Sequence, residues 1–270
     1  MDLTKKKETS FSVNLEGSSV SFPHFWEHTI GSGHATLALR SDWQRQLWRC
    51  SRELGFKHVR FHAILSDDLG ILKKENGRLV YSFFNADQIY DFLLSIGMKP
   101  FVELSFMPEA LASGQKTVFN YRANVTQPKD YTDWIKFIEI LITHWIERYG
   151  LDEIKQWFFE VWNEPNLTAF WTGKQMDYFN LYKHTVTTIK KIDAGLKVGG
   201  PATAKNAWIK EFVHYCNEVK IPFDFISTHQ YPTDAFGNPG DNTIQQLAAS
   251  KRSILRKETE NVKKQSGEKP

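Results

Sequence analysis

A parallel α/β fold built from repeated strand–helix units is the class this sequence predicts, and three observations predict it. Strand-like apolar runs alternate with helix-period segments from end to end. The runs are nearly continuous in apolar character, as in Phe158-Phe159-Glu160-Val161-Trp162, the pattern of strands covered on both faces. About six such units follow one another within 270 residues, 41% of them apolar, which is enough for one substantial core. Two architectures fit this pattern: a closed (β/α)₈ barrel and an open doubly wound sheet. The open sheet usually carries a Gly-rich phosphate turn after an early strand. Here Gly31-Ser32-Gly33 lacks the third glycine and there is no P-loop, which weighs against a nucleotide site.

The elements can be justified in order. A polar segment over residues 1–21 precedes a first strand expected over about 22–30. Trp43, Leu47, Cys50 and Leu54 then share one helical face, with Ser41 and Asp42 expected as caps and Gly55 after them. Residues 57–65 read as a strand. Ile89, Phe92, Leu93 and Ile96 mark a second helix closed by Gly97, and residues 99–106 a strand ending at Met107-Pro108. In the third helix Trp134, Ile138, Leu141, Trp145 and Tyr149 recur at spacings of three and four until Gly150. The strand leading to Glu164 follows. Then come a helix carrying Leu181, Tyr182, Val186, Ile189 and Ile192, a strand over 196–201, a helix with Ile209, Phe212, Val213 and Cys216, and a strand over 223–229. A last helix is expected from Ile244 to about Val262.

Composition excludes several classes. The net charge is +3 and the Lys and Arg are scattered, so no nucleic-acid footprint is expected; the run Lys5-Lys6-Lys7 reads as a solvated tail. Two cysteines, Cys50 and Cys216, on apolar helical faces give no disulfide framework and no metal spacing. No early segment resembles a signal peptide and no apolar stretch is long enough to span a bilayer, so the expected compartment is the cytoplasm, with no membrane partner. Aromatic residues reach 14%, with nine Trp and twenty Phe. Most serve the core, and the surplus suits stacking on the C–H faces of sugars.

The chemistry points to strand ends, where a parallel barrel gathers its functional groups. Pro165 cannot donate to a sheet ladder and biases Glu164 away from helix, so the fourth strand is expected to end there, with Asn163 and Glu164 at its mouth. His62 stands at the end of the second strand, and His229 with Tyr231 at the end of the sixth. Phe119, Phe170 and Trp171 lie on the loops behind. A glutamic acid among amide, imidazole and phenol donors, with rings beside it, suits protonation of a glycosidic oxygen while sugar hydroxyls are held. Taken singly, each has a structural alternative: a capping acid, a buried histidine, ordinary ring packing. Arg60 could anchor the floor through a carboxylate such as Glu103. The histidines and acids lack H-x-x-x-H or equivalent spacing, so no metal and no other cofactor is expected.

Trp162-Asn163-Glu164-Pro165 resembles the acid/base motif of the retaining (β/α)₈ glycosidases. Further stretches resemble glycoside hydrolase family 39, the β-xylosidases and α-L-iduronidases. These are Gly31-Ser32-Gly33 with Leu37-Ala38-Leu39, residues 65–71 (LSDDLGI), residues 106–114 (FMPEALASG), residues 159–167 (FEVWNEPNL) and residues 198–202 (VGGPA). The likeness runs from about residue 22 to 232. It implies a TIM (β/α)₈ barrel domain over residues 22–270, of which about six of the eight units are present. It implies Glu164 as general acid/base, Asn163 on the hydroxyl next to the reacting carbon, and His62 on a ring hydroxyl. His229 and Tyr231 would contact the sugar and the nucleophile, and Phe119 and Phe170 would wall the pocket. Iduronidases carry a basic residue beyond the sixth-strand histidine. Here the stretch is His229-Gln230-Tyr231-Pro232, which favours a neutral pentoside, a β-xyloside or xylo-oligosaccharide before other neutral glycosides. The partner is then a small carbohydrate, and homo-oligomerisation is left open.

Family members carry a second Glu, the nucleophile, at the end of a seventh strand. Glu258, Glu260 and Glu268 lie on no apolar run, so the expectation is a piece of a longer enzyme, inactive alone and prone to aggregate through unpaired strand edges. The competing expectation is a non-catalytic sugar-binding or sensory module that keeps His62, Asn163, His229 and the aromatic walls.

Overall fold

The computed structural model describes residues 10–18, 20–231 and 261–267. Its centre is a six-stranded, wholly parallel sheet of β1 (Thr29–His34), β2 (His58–His62), β3 (Lys99–Leu104), β4 (Phe158–Val161), β5 (Lys197–Ala204) and β6 (Phe225–His229), in which every strand pairs with its predecessor in the chain. Five helices of ten or more residues connect the strands: α1 (Ser41–Leu54), α2 (Phe84–Ser95), α3 (Tyr131–Tyr149), α4 (Gln175–Ile192) and α5 (Ile209–Glu218). The sheet is curled, and its sequential order is that of a barrel rather than of a sheet wound both ways from a central strand.

The helices form where side-chain periodicity gives them an apolar stripe. In α2 the buried residues are Ala86, Ile89, Tyr90 and Leu93, and in α3 they are Trp134, Phe137, Ile138, Leu141, Ile142 and Trp145. Asp130 caps α3 by accepting from the Thr132 amide at 2.7 Å, and Asp177 accepts from the Lys174 amide at the start of α4. Gly55 ends α1 in the left-handed conformation, φ 73°. Between helices and sheet lies an aromatic layer in which Tyr90, Trp145, Trp157 and Phe159 are fully buried; Tyr90 meets Trp157 edge-on at 4.9 Å.

Several boundaries differ from the sequence expectation. The first strand begins at Thr29 rather than near residue 22, because Pro23 and a 3₁₀ turn at Phe25–Glu27 occupy the earlier residues; Gly31 and Gly33 therefore lie within the strand and form no turn. Ser41 and Asp42 do not cap α1. Arg40 is the N-cap, since the 3₁₀ turn Ala35–Leu39 feeds straight into the helix, and Asp42 binds the Arg40 guanidinium at 2.8 and 3.0 Å. Two antiparallel hairpins on the βα loops, pairing Leu72–Glu75 with Arg78–Tyr81 and Thr117–Val118 with Ala123–Asn124, have no counterpart in the sequence reading. Lys5-Lys6-Lys7, Glu258, Glu260, Glu268 and most of the expected last helix lie outside the described residues; residues 261–266 are helical. Among the described residues no helix is long and apolar enough to cross a membrane.

Candidate active site

The fourth strand stops at Val161, three residues before Glu164. Trp162 (φ 73°) and Glu164 (φ 46°) both adopt the left-handed conformation, which turns the chain sharply over the sheet's C-terminal edge. Neighbouring elements hold this turn. The Tyr178 hydroxyl donates to the Val161 carbonyl at 3.0 Å, and the Glu164 amide donates to the Ala202 carbonyl at 2.8 Å. Asn166 both accepts from the Ala204 amide (2.8 Å) and donates to the Ala204 carbonyl (3.0 Å). The Trp162 indole donates to the Phe170 carbonyl at 2.8 Å, which ties the strand end to the ring wall.

On this clamped turn Glu164 Oε1 lies 2.9 Å from His229 Nδ1, both side chains being mostly buried. Asn163 is buried, and its Oδ1 accepts from Arg60 Nη2 at 3.1 Å. With that oxygen engaged, the Asn163 amide nitrogen is the part left to address a ligand hydroxyl. Arg60, in β2, also donates from Nε to Glu160 Oε2 at 2.7 Å and pairs with Glu103 Oε2 at 2.6 Å. Burial works against the Arg60 charge, but the carboxylates of Glu103 and Glu160 outweigh it, so its pKa lies above the ordinary value. Burial pushes the Glu103 carboxyl up, to about 8; Glu160 and Glu164 add to the rise, while Arg60 and the Ser105 hydroxyl oppose it.

A second group of side chains is a row of stacked rings. His62 stacks on Phe119 (5.3 Å, 7°), Phe119 on Tyr121 (5.2 Å, 23°) and Tyr121 on His34 (3.6 Å, 8°). Phe170 meets Phe119 at 5.6 Å. Phe119 and Tyr121 stand in the turn of the second hairpin, which explains how a loop presents them rigidly. Burial holds the His62 pKa down at about 4, helped by Arg60 and His34, so its imidazole is neutral near pH 7. Tyr231 is exposed, and its carbonyl accepts from the Gln230 side chain at 3.2 Å. Trp171 lies under Trp162, edge-on at 5.0 Å, as core.

The structure thus joins Glu164 to His229 directly, and His62 to Phe119, which in turn meets Phe170. Arg60 reaches Glu103, as the floor-anchor alternative expects, and Asn163 as well. Sequence reasoning missed Glu160, His34, Asp68 and Tyr121. Asp68 lies 2.8 Å from His34 Nε2 and so fixes the outer end of the ring wall. A signal for Glu160 did exist: a charged residue inside the apolar run FFEV, in register with Glu103 of FVEL on the next strand. Among the described residues no group of three or more His, Cys, Asp or Glu is placed to hold a metal.

A carboxyl paired to an imidazole, a fixed amide and a flat ring wall can hold a polyol and move a proton at one of its oxygens. The family model for glycosyl hydrolases family 39 matches residues 10–270. A β-xylosidase of Caldicellulosiruptor saccharolyticus is 51% identical over 264 residues, covering 97% of this chain and 54% of that protein. A β-xylosidase of Geobacillus stearothermophilus is 42% identical over 221 residues, covering 79% of this chain and 44% of its own length. The crystal structure of a monomeric β-xylosidase from Caulobacter crescentus CB15 superposes with a TM-score of 0.78 at 43% identity, over 82% of this chain and 45% of that one. The chain spans about half the length of the curated relatives it matches.

Proposed function

The chain belongs to glycosyl hydrolases family 39, and from that premise we propose that the protein is a retaining exo-glycosidase of β-xylosides and xylo-oligosaccharides, built on a closed (β/α)₈ barrel, with Glu164 as its general acid/base. The observation that carries this reading is the Glu164–His229 pair, 2.9 Å apart on a turn pinned to β5. Glu164 protonates the glycosidic oxygen as the bond to the leaving group breaks, then takes a proton from the water that releases the sugar. Asn163, its oxygen held by Arg60, donates to the hydroxyl beside the reacting carbon. His62, neutral near pH 7, exchanges hydrogen bonds with a ring hydroxyl. Phe119 and Phe170 cover a sugar face, and Tyr231 joins His229 on the remaining side.

A retaining reaction needs a second carboxylate roughly 5–5.5 Å from the first. Glu103 and Glu160, buried and paired with Arg60, are not assigned that role; the nucleophile is assigned to sequence that the relatives have and this chain does not span. The stretch His229-Gln230-Tyr231 offers no cation for a substrate carboxylate, which supports a neutral pentoside.

Glu164→Gln in the full-length gene product tests the assignment. Hydrolysis of an unactivated xylobioside should fall by about 10²–10⁴-fold, and that of an aryl xyloside with an acidic leaving group by much less. Equal losses on both would remove Glu164 from the acid role. Xylose binding by the wild type without any hydrolysis would instead favour a non-catalytic sugar-binding protein.

A further inference from the structure

The floor beneath Glu164 holds more negative charge than it neutralises. Arg60 on β2, Glu103 on β3 and Glu160 on β4 meet there, both carboxylates are buried, and Arg60 is the ion-pair partner of each. Among the described residues no second cation pairs with either acid. Glu164, on the turn after β4, adds to the same field. From the loop after β3 the Tyr121 phenol also feels it, its pKa raised by burial and then by Glu103 and Asp68. Two acids on one guanidinium, in an interior poor in water, are relieved when one of them binds a proton.

The geometry distinguishes the two. Glu160 accepts an aligned hydrogen bond from Arg60 Nε at 2.7 Å. Glu103 Oε2 lies 2.6 Å from Arg60 Nη2 but receives no aligned hydrogen bond from any group. Its Oε1 takes the hydroxyl of Ser105, whose oxygen accepts from the Ala63 amide at 3.2 Å. Glu103 therefore has a single directed donor, the Ser105 hydroxyl on Oε1, and its Oε2, without one, can take a proton.

We propose that Glu103 is a positioning residue: stored as the neutral acid, it leaves Glu160 as the single charged partner of Arg60 and so keeps Nη2 on the side-chain oxygen of Asn163. Ionisation of Glu103 turns an Nη2 N–H from Asn163 Oδ1 onto Oε2, already 2.6 Å away, and releases the Asn163 amide to rotate. Glu103 acts through Arg60 and touches no ligand. The inference rests on the reading that Asn163 holds a sugar hydroxyl.

Difference infrared spectroscopy and NMR of the full-length gene product test it. On titration to alkaline pH, the wild type should lose the carbonyl band of a buried protonated carboxylic acid with a midpoint near 8, and Glu103→Gln should show no such band. The side-chain amide resonance of Asn163, assigned by its loss in Asn163→Ala, should titrate with the same midpoint in the wild type and stay fixed in Glu103→Gln. A wild type without the band, a band that survives Glu103→Gln, or an Asn163 resonance that titrates alike in both proteins overturns the proposal. Should Glu103→Gln fail to fold, Ser105→Ala removes the hydroxyl from Oε1 and should move the midpoint upward; an unmoved midpoint overturns it equally. Neither readout needs turnover. A protein that hydrolyses no glycoside would lose the function proposed above, while the spectra would still decide the role of Glu103.

Discussion

His229 and Glu164 are bound to each other across the ends of β6 and β4, Nδ1 to Oε1 at 2.9 Å, although 65 positions separate them in the chain. The bond engages one carboxyl oxygen of Glu164, Oε1.

Replacing His229 should therefore lower turnover without abolishing it. A hydrogen bond to a charged group contributes about 1.5–3 kcal/mol, or about 10- to 150-fold. For His229→Ala in the full-length gene product we expect kcat on an unactivated xyloside to fall within that range. Steady-state kinetics check this, and an unchanged kcat would detach His229 from the proposed role of Glu164.

Arg60→Met should destabilise the fold by about 3–5 kcal/mol, because it strands Glu103 and Glu160 as buried acids without a cation. Urea unfolding at neutral pH measures the loss. Arg60→Lys restores a charge without the planar fork, and is expected to recover part of the stability while losing the bond to Asn163. A stability equal to wild type in Arg60→Met would mean that the two acids are not a burden on the fold.

His62 makes stability pH-dependent on the acid side. Its native pKa of about 4 lies below the ordinary 6.5, so between these values the unfolded chain binds more protons than the native one. Stability therefore rises with pH through that window and is lost on acidification from about 6.5 toward 4. Glu103, raised from 4.5 to about 8, acts with the opposite sign as pH increases. The two are separated by comparing wild type with His62→Gln, whose unfolding free energy should fall less steeply between pH 6.5 and 4. Identical slopes would mean that His62 is not held neutral.

Gly199→Ala should separate β5 from β6. A Cβ at this position would lie 2.4 Å from the Phe225 carbonyl oxygen and 2.5 Å from its ring, and the backbone oxygen cannot step aside. Overpacking of this kind costs about 1–3 kcal/mol. Thermal unfolding reads the cost, and a melting point equal to wild type would show that the sheet accommodates the methyl group.

The strand–helix alternation was legible because most central strand residues are buried or half-buried, which makes the strands largely apolar runs that end abruptly. Glu164, Asn163, His62 and His229 could be placed for the same reason: His62 and His229 close their strands, and Asn163 and Glu164 stand just past theirs. Less legible were most contacts that side chains make across the sheet, the Arg60–Glu103 pair apart. The Arg60–Asn163 bond spans 103 positions and leaves no local periodicity. Tyr121 and His34 are brought together by a hairpin only two residues long on each side, below the length at which alternation can be read. Boundaries slipped where a 3₁₀ turn stood in for an expected cap or strand, at Phe25–Glu27 and Ala35–Leu39, since these turns use the same residue types as helix starts.

The sequential order of the six strands has a consequence for assembly on the ribosome. Each strand leaving the exit tunnel finds its partner already made, because that partner is always the strand before it. Among the described residues no strand of the central sheet waits for a distant segment before it can pair, so this sheet can be laid down vectorially, one unit at a time. The site matures in the same order: the ring wall with β3, the Arg60 grip on Asn163 with β4, and the imidazole against Glu164 only when β6 arrives.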